Sequence, residues 1–256
     1  MLNCFISTFF LLLKKLMIIS IETSKSNLSL TLLNRENVIN HISVSFKNEL
    51  SEIIVPTIKM FLQENLITFG DVSFLVVGCG PGSFTGIRSI ISTALGITIS
   101  NSHIKSIGLN SLAGLAMSAI NEAKNLKLKY IISSIYSKKD ELFLQLFKIN
   151  DTKNELLPIV AKSNIDTIKI EELYNYLAIN NLILKNVLFV GHQSDVVKKM
   201  IDNVYVSNNL TQYPDSLGIG KLASWIIINK ISINKTLYAF DKFKPVYVRS
   251  AQINLK

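Results

Sequence analysis

Cysteine, histidine and arginine are scarce in this 256-residue sequence, and each scarcity removes a class of chemistry. Cys4 and Cys79 are too far apart for a Cys-x-x-Cys redox pair or a thiolate metal cluster. His41, His103 and His192 stand alone, with neither His-x-x-x-His nor His-Glu-x-x-His spacing, so a zinc site has no support in the sequence. Both features suit a reducing cytoplasm. Arginine is confined to Arg35, Arg88 and Arg249, so the net charge of +9 is almost wholly lysine. Lysine travels with asparagine and isoleucine in runs such as Ile179-Asn180-Asn181, the mixture an AT-rich coding sequence produces without selection for binding. With the better phosphate fork so rare, the charge reads as a solvated basic surface rather than an RNA footprint.

A membrane-spanning run is missing too. Phe5–Leu13 is apolar but falls short of the roughly 20 residues a bilayer requires. No basic segment precedes it and no small-residue cleavage site follows, which argues against a signal peptide. Met17 directly precedes a buried-strand pattern, Ile18-Ile19-Ser20-Ile21, so residues 1–16 read as a non-functional N-terminal extension and Met17 as the working start.

The sequence is 48% hydrophobic and 18% charged, enough for a sizeable core. Met17–Ile21 reads as a buried strand. Leu28, Leu30 and Leu32 alternate with Ser29 and Thr31, predicting a half-buried second strand, and Val38–Phe46 predicts a third with His41, Ser43 and Ser45 on its wet face. Leu50, Ile53, Ile54, Ile58, Phe61 and Leu62 repeat at helical spacing, with Pro56 calling for a kink or a later start. Val72–Gly78 is largely apolar, with Phe74, Leu75, Val76 and Val77, the pattern of a central strand covered on both faces. Beyond it the clearest strands are Tyr130–Tyr136, Leu142–Phe147 and Val187–Val190. The clearest helices are Glu171–Leu177, Val196–Ile201 and Leu217–Ile228. The order predicts two α/β lobes with mixed sheets, 17–110 and 111–256.

Between strand and helix stands Gly80-Pro81-Gly82-Ser83-Phe84-Thr85-Gly86-Ile87-Arg88. Gly80 and Gly82 allow positive φ, Pro81 directs the turn, and Ser83 or Thr85 caps a helix running to about Ile99. Such a terminus suits a phosphate or carboxylate, with Arg88 one turn in. The common motifs do not apply. There is no Gly-Lys-Ser/Thr, no third Rossmann glycine after Gly80-x-Gly82, and Pro81 stands where a nucleophile elbow around Ser83 needs glycine.

The segment Gly80–Arg88 closely resembles the signature of the bacterial TsaB (YeaZ) family. Ile18-Ile19-Ser20-Ile21-Glu22-Thr23-Ser24 is similar to that family's opening strand and Asp-Thr-Ser turn. Ser106-Ile107-Gly108-Leu109-Asn110-Ser111-Leu112 is similar to its entry into the second lobe, and Pro245-Val246-Tyr247-Val248-Arg249 to its Pro-x-Tyr-x-Arg tail. The resemblance covers residues 17–253. It implies the two-lobed fold shared by actin, heat-shock ATPases and sugar kinases. It also implies a non-catalytic scaffold that binds and activates TsaD, acting with the ATPase TsaE to form N6-threonylcarbamoyladenosine at position 37 of tRNAs reading ANN codons.

The resemblance further implies partner docking through two first-lobe helices, carried here by Ile54, Ile58 and Phe61 and by Ile90, Ile91, Ala94 and Leu95. Which of these face the partner and which their own sheet stays open. Alone, the chain is expected to form a homodimer. No cofactor is expected in the isolated chain, with ATP and magnesium entering only in the complex, and tRNA is reached indirectly through the complex. Glu22, Thr23 and Ser24 mark a vestigial nucleotide site, since Glu22 stands where the family has aspartate. Ile135-Tyr136-Ser137-Lys138-Lys139 departs from the family's Asp-Ala-Arg strand. Two alternatives are an ATP-dependent kinase or phosphohydrolase of the same fold, in which Glu22 holds Mg²⁺ and Gly80–Gly86 holds phosphate, and, more remote, a degenerate peptidase.

Overall fold

The computed structural model describes residues 15–24, 27–47, 49–137, 140–150, 157–192, 197–199, 201, 204–207, 212–233 and 237–248. Residues 1–14, Lys138, Lys139 and Arg249, singled out in the sequence, lie outside the described residues, as does the side chain of Ser24. Of the helix expected over Val196–Ile201, residues 197–199 are helical, and 196 and 200 lie outside them.

Two mixed sheets form the frame. The opening meander is β1 Met17–Ser24, β2 Asn27–Asn34 and β3 Asn37–Ser45. The backbone of Leu16 is already tied to the turn after β2, accepting from Arg35 N at 3.0 Å. Helix α1 (Leu50–Glu64) follows, then β4 (Val72–Gly78), α2 (Phe84–Ser100) and β5 (Lys105–Leu109). Strands β1, β4 and β5 run parallel, β2 and β3 pair antiparallel outside β1, and the late strand β12 (Ala239–Phe240) closes the other edge against β5. Helix α1 is continuous through Pro56, whose ring is exposed. Leu50, Ile54, Ile58, Phe61 and Leu62 bury the opposite stripe, each contributing about 1.5–3 kcal/mol, and this offsets the hydrogen bond proline forgoes.

The second sheet is built from β6 (Tyr130–Tyr136), β7 (Glu141–Ile149), β8 (Ile159–Ala161), β9 (Asp166–Lys169), β10 (Val187–Gly191) and β11 (Tyr205–Val206). Its order is β11-β10-β6-β7-β8, with β9 also pairing β7. Helix α5 (Leu173–Ile179) packs Leu173, Tyr176 and Leu177 on its outer face. A short 3-10 turn, Ile170–Glu172, fills the first part of the helix expected from Glu171.

Helices α3 (Ser111–Ser118), α4 (Ile120–Asn125) and α6 (Ser216–Ile228) carry the core that joins the lobes. Ile18 and Val76 of the first sheet, Leu112 and Leu115 of α3, Ile131 and Phe147 of the second sheet, and Ile219 and Leu222 of α6 belong to one buried cluster. The helices approach closely because a Cβ on Gly218 would lie 2.2 Å from the carbonyl oxygen of Gly114. The C-terminal part of residues 111–256 thus returns to the first lobe: α6 packs on β1 and β2, and β12 completes the first sheet.

The same helix corrects the reading of β2 as half-buried. Ser29 and Thr31 are 3% and 0% exposed, as buried as their leucine neighbours. Ser216 N donates to Ser29 Oγ at 2.9 Å, Ser20 Oγ donates to the Ser216 carbonyl at 2.7 Å, and Thr31 Oγ1 lies 2.7 Å from Ser216 Oγ. Thr31 Oγ1 also lies 2.8 Å from His41 Nδ1, which accounts for that histidine as a packing partner. Polar alternation along β2 therefore marks a hydrogen-bonded contact with α6 rather than a wet face.

Candidate functional site

The glycine-rich segment leaves β4 at the C-terminal edge of the first sheet. Gly80 has φ of +91°, whereas Gly82 does not adopt the left-handed conformation. Three backbone bonds fix the turn: Cys79 N to Leu109 O at 2.7 Å, Ser111 N to Gly80 O at 2.7 Å, and Val246 N to Cys79 O at 2.8 Å. Ser83 caps α2, its Oγ accepting from Gly86 N at 3.3 Å. Pro81 and Gly86 are buried, whereas Gly82, Ser83, Phe84, Thr85 and Arg88 are exposed.

Arg88 closes this loop onto the tail. Its guanidinium lies 3.8 Å over the Phe84 ring, and its Nε donates to Tyr247 Oη at 2.9 Å. The Phe84 and Tyr247 rings are 5.7 Å apart at a tilt, close to a common aromatic pairing geometry. The sequence singled out both motifs and gave no sign that they touch.

Glu22 is 1% exposed at the end of β1. Ser111 Oγ donates to its Oε2 at 2.8 Å and Thr23 N to its Oε1 at 2.9 Å. Gly78 makes room for the longer arm, since a Cβ there would lie 1.9 Å from Oε2. Burial pushes the Glu22 carboxyl up to about 8; the hydrogen bonds from Ser111 and Thr23 act the other way, and the charge of Asp215 adds to the rise. Burial likewise pushes the Cys79 thiol up to about 12, so it is an inert core group at neutral pH.

One concavity borders these residues, and another opens farther along α2. Between the lobes lies a cleft of about 360 Å³ whose lining includes Thr23, Ser83, Ser111, Tyr136, His192 and Tyr213. The His192 ring stands 5.5 Å from that of Tyr136 and 5.2 Å from that of Tyr213. These three come from segments far apart in sequence, and no spacing links them. The second concavity, about 540 Å³, lies between α1 and α2 and is lined by Val55, Ile58, Lys59, Phe69, Gly96 and Ile97 among others.

Residues 45–250 match the family model described as TsaD: tRNA N6-adenosine threonylcarbamoyltransferase. The curated tRNA threonylcarbamoyladenosine biosynthesis protein TsaB of Bacillus subtilis (strain 168) is 26% identical over 189 residues, 73% of this chain and 76% of that protein. The TsaB of Buchnera aphidicola subsp. Acyrthosiphon pisum (strain APS) is 26% identical over 196 residues, 70% of this chain and 86% of its own length. A solved structure described as YeaZ from Pseudomonas aeruginosa superposes with a TM-score of 0.71 at 18% identity, covering 91% of this chain and all of that one. The chain belongs to the TsaB (YeaZ) family. Its fold is that of the YeaZ structure, with two lobes each built on a mixed α/β sheet.

The structure apportions the seven residues that the sequence left open between partner and core. Ile54, Ile58, Phe61, Ile90, Ile91 and Ala94 are each at most 5% exposed and pack on the first sheet, so they form the core of this chain. Of the seven, Leu95 alone is exposed, at 42%. Helical periodicity turns a different stripe outward: Val55, Lys59 and Met60 on α1, and Arg88, Ser92, Leu95 and Ile99 on α2.

Nor does Glu22 suit the magnesium ion that the kinase alternative assigns to it. Both of its oxygens are hydrogen-bonded within the protein, it does not line the cleft, and it is neutral below about pH 8. A neutral buried carboxylic acid is a poor ligand for a hard cation. Thr23 and Ser83, by contrast, do reach the cleft. Among the described residues, no three His, Cys, Asp or Glu side chains converge as metal ligands, and no helix is long and apolar enough to cross a membrane.

Proposed function

We propose that this chain is a non-catalytic subunit in the formation of N6-threonylcarbamoyladenosine at position 37 of tRNAs reading ANN codons, and that it acts by binding and activating TsaD. The observation that carries this reading is the groove between α1 and α2. Its floor is apolar, and around it the two helices leave Val55, Met60, Leu95 and Ile99 between 42% and 79% exposed. Surfaces of this kind mark protein–protein contacts, and Gly96, on which a Cβ would meet no atom within 4 Å, lets another helix approach closely. The partner in this reading is the corresponding helix pair of TsaD, a paralogue with the same two-lobed frame. TsaE joins at the level of the complex. Nucleotide and metal enter with these partners, in keeping with the buried, neutral carboxyl of Glu22.

The test is co-elution of the purified chain with its cognate TsaD. At micromolar concentrations a stable heterodimer is expected, and Leu95→Asp, a change of an exposed residue, should separate the two. Independent elution of the unaltered proteins would overturn the reading. Calorimetry of the isolated chain with Mg-ATP tests the kinase alternative, for which sub-micromolar binding with turnover would be decisive.

A further inference from the structure

The composition assigns the lysines to a solvated surface, yet the second sheet gathers several of them at one end. Helix α4 carries Lys124, and the tight turn that ends it holds Lys127 at φ of +56°. Lys129 follows, and its backbone is bonded on both sides: its N–H donates to Asn186 O at 3.0 Å and its carbonyl accepts from Ile149 N at 2.9 Å. The register continues this arrangement, pairing Tyr130 with Lys148 on one side and with Val187 on the other. Lys185, in the 3-10 turn Leu184–Asn186 before β10, Lys129, just before β6, and Lys148, the penultimate residue of β7, therefore lie at one end of three adjacent strands spaced about 5 Å apart, with Lys124 and Lys127 on the turn beside them. Lys124, Lys127, Lys129 and Lys185 are exposed, and none of them is in an ion pair among the described residues. The carboxylate of Glu122 on the same helix accepts from Ser207 Oγ.

The register sets Lys129 opposite Ile149 and Asn186, so these lysines are not cross-strand partners, but their clustering raises the local positive potential and so attracts a polyanion laid across this end. Lysine is a flexible point charge, suited to phosphate oxygens rather than base edges. We infer that this lysine rim at the foot of the second sheet binds the phosphodiester backbone of RNA directly, tRNA being the RNA in question. The identity of the RNA rests on the reading of the chain as a tRNA-modification subunit; the charge geometry does not.

The experiment measures anisotropy of a labelled, unmodified tRNA transcript against the full chain over a range of salt. Two fourfold variants with the same charge change are compared: Lys124→Ala with Lys127→Ala, Lys129→Ala and Lys185→Ala, and a control with Lys105→Ala, Lys199→Ala, Lys221→Ala and Lys242→Ala, all exposed. The rim variant should bind at least tenfold more weakly near 150 mM salt, with a slope of log K against log salt shallower by about 3, while the control keeps the wild-type slope. Equal affinities and slopes for the two variants would overturn the proposal. So would binding of the wild type to phosphatidylglycerol vesicles but not to tRNA. Co-elution with TsaD is scored on the same variants. Its loss in the rim variant would make the rim a protein contact and overturn the proposal. Failure of every form to pair with TsaD, with the tRNA difference intact, would support the rim and discard the docking reading.

Discussion

Arg88 and Tyr247, 159 residues apart, are joined by a 2.9 Å hydrogen bond from Nε to the phenol oxygen, with the guanidinium stacked on Phe84. In this chain the glycine-rich segment and the tail around Tyr247 are thus one structural unit. The tail lies against the end of β4, and Arg88 holds it there.

Arg88→Ala should loosen this closure by about 1 kcal/mol, the scale of an exposed stacked cation with one hydrogen bond. The Val246 amide, bonded to Cys79 O, reports it. Its hydrogen exchange is expected to rise about fivefold. Arg88→Lys should behave like the alanine variant, because lysine cannot stack flat and donate sideways at once. Unchanged protection in both variants would remove the closing role of Arg88.

The Glu22 carboxyl makes stability depend on pH. Its folded value of about 8 stands above the ordinary 4.5, so between these values the folded chain holds a proton that the unfolded chain has released. Stability from this group is complete below about pH 4.5 and is lost as pH rises through about 8, with a slope of up to ~1.4 kcal/mol per pH unit. Glu22→Gln should remove that slope and leave the variant relatively more stable at pH 9 than at pH 5. Urea unfolding of both proteins across this range isolates the contribution of this carboxyl. Parallel profiles would place the Glu22 carboxyl in its ionised form.

Gly218→Ala forces a methyl into the carbonyl oxygen of Gly114 and so pushes α6 from α3. Overpacking against a backbone atom costs on the order of 2–3 kcal/mol. The thermal midpoint should fall by roughly 4–10 °C. Gly96→Ala, with open space around the site, should leave the midpoint within about 2 °C.

Light scattering of the chain alone should show a concentration-dependent homodimer, because an apolar face suited to a paralogue tends to pair with itself. Leu95→Asp combined with Ile99→Asp should return it to a monomer without lowering the thermal midpoint, since both side chains are exposed. A strict monomer at high concentration in the unaltered chain would contradict the self-pairing.

Much of the fold was legible in the sequence because its signals are local. Ile18-Ile19-Ser20-Ile21 and Val72–Gly78 declare buried strands by apolar run, and Ser83, one of the two cap candidates before the helix, caps α2. Where a side chain points depends on what packs on it, and there the local signal failed. Ser29 and Thr31 have the polarity of a wet face but meet α6, which arrives from almost two hundred residues downstream. Ile90 and Ile91 are apolar enough for either a partner or a core, and the sheet beneath them decides for the core.

The candidate site divides along the same line. The loop Gly80–Arg88 and the tail around Tyr247 were each visible as motifs, because their chemistry is written in consecutive residues. Their contact was not, nor was the grouping of Tyr136, His192 and Tyr213, nor the lysine rim. From the sequence alone come the strand and helix inventory, the two-lobed plan and the family resemblance, since periodicity and spacing are properties of neighbours along the chain. The tertiary structure alone decided that Glu22 is a buried acid, that six of the seven expected docking residues are core, and that Arg88 grips the tail. Burial, hydrogen bonding and charge proximity belong to neighbours in space, and a linear pattern does not encode them.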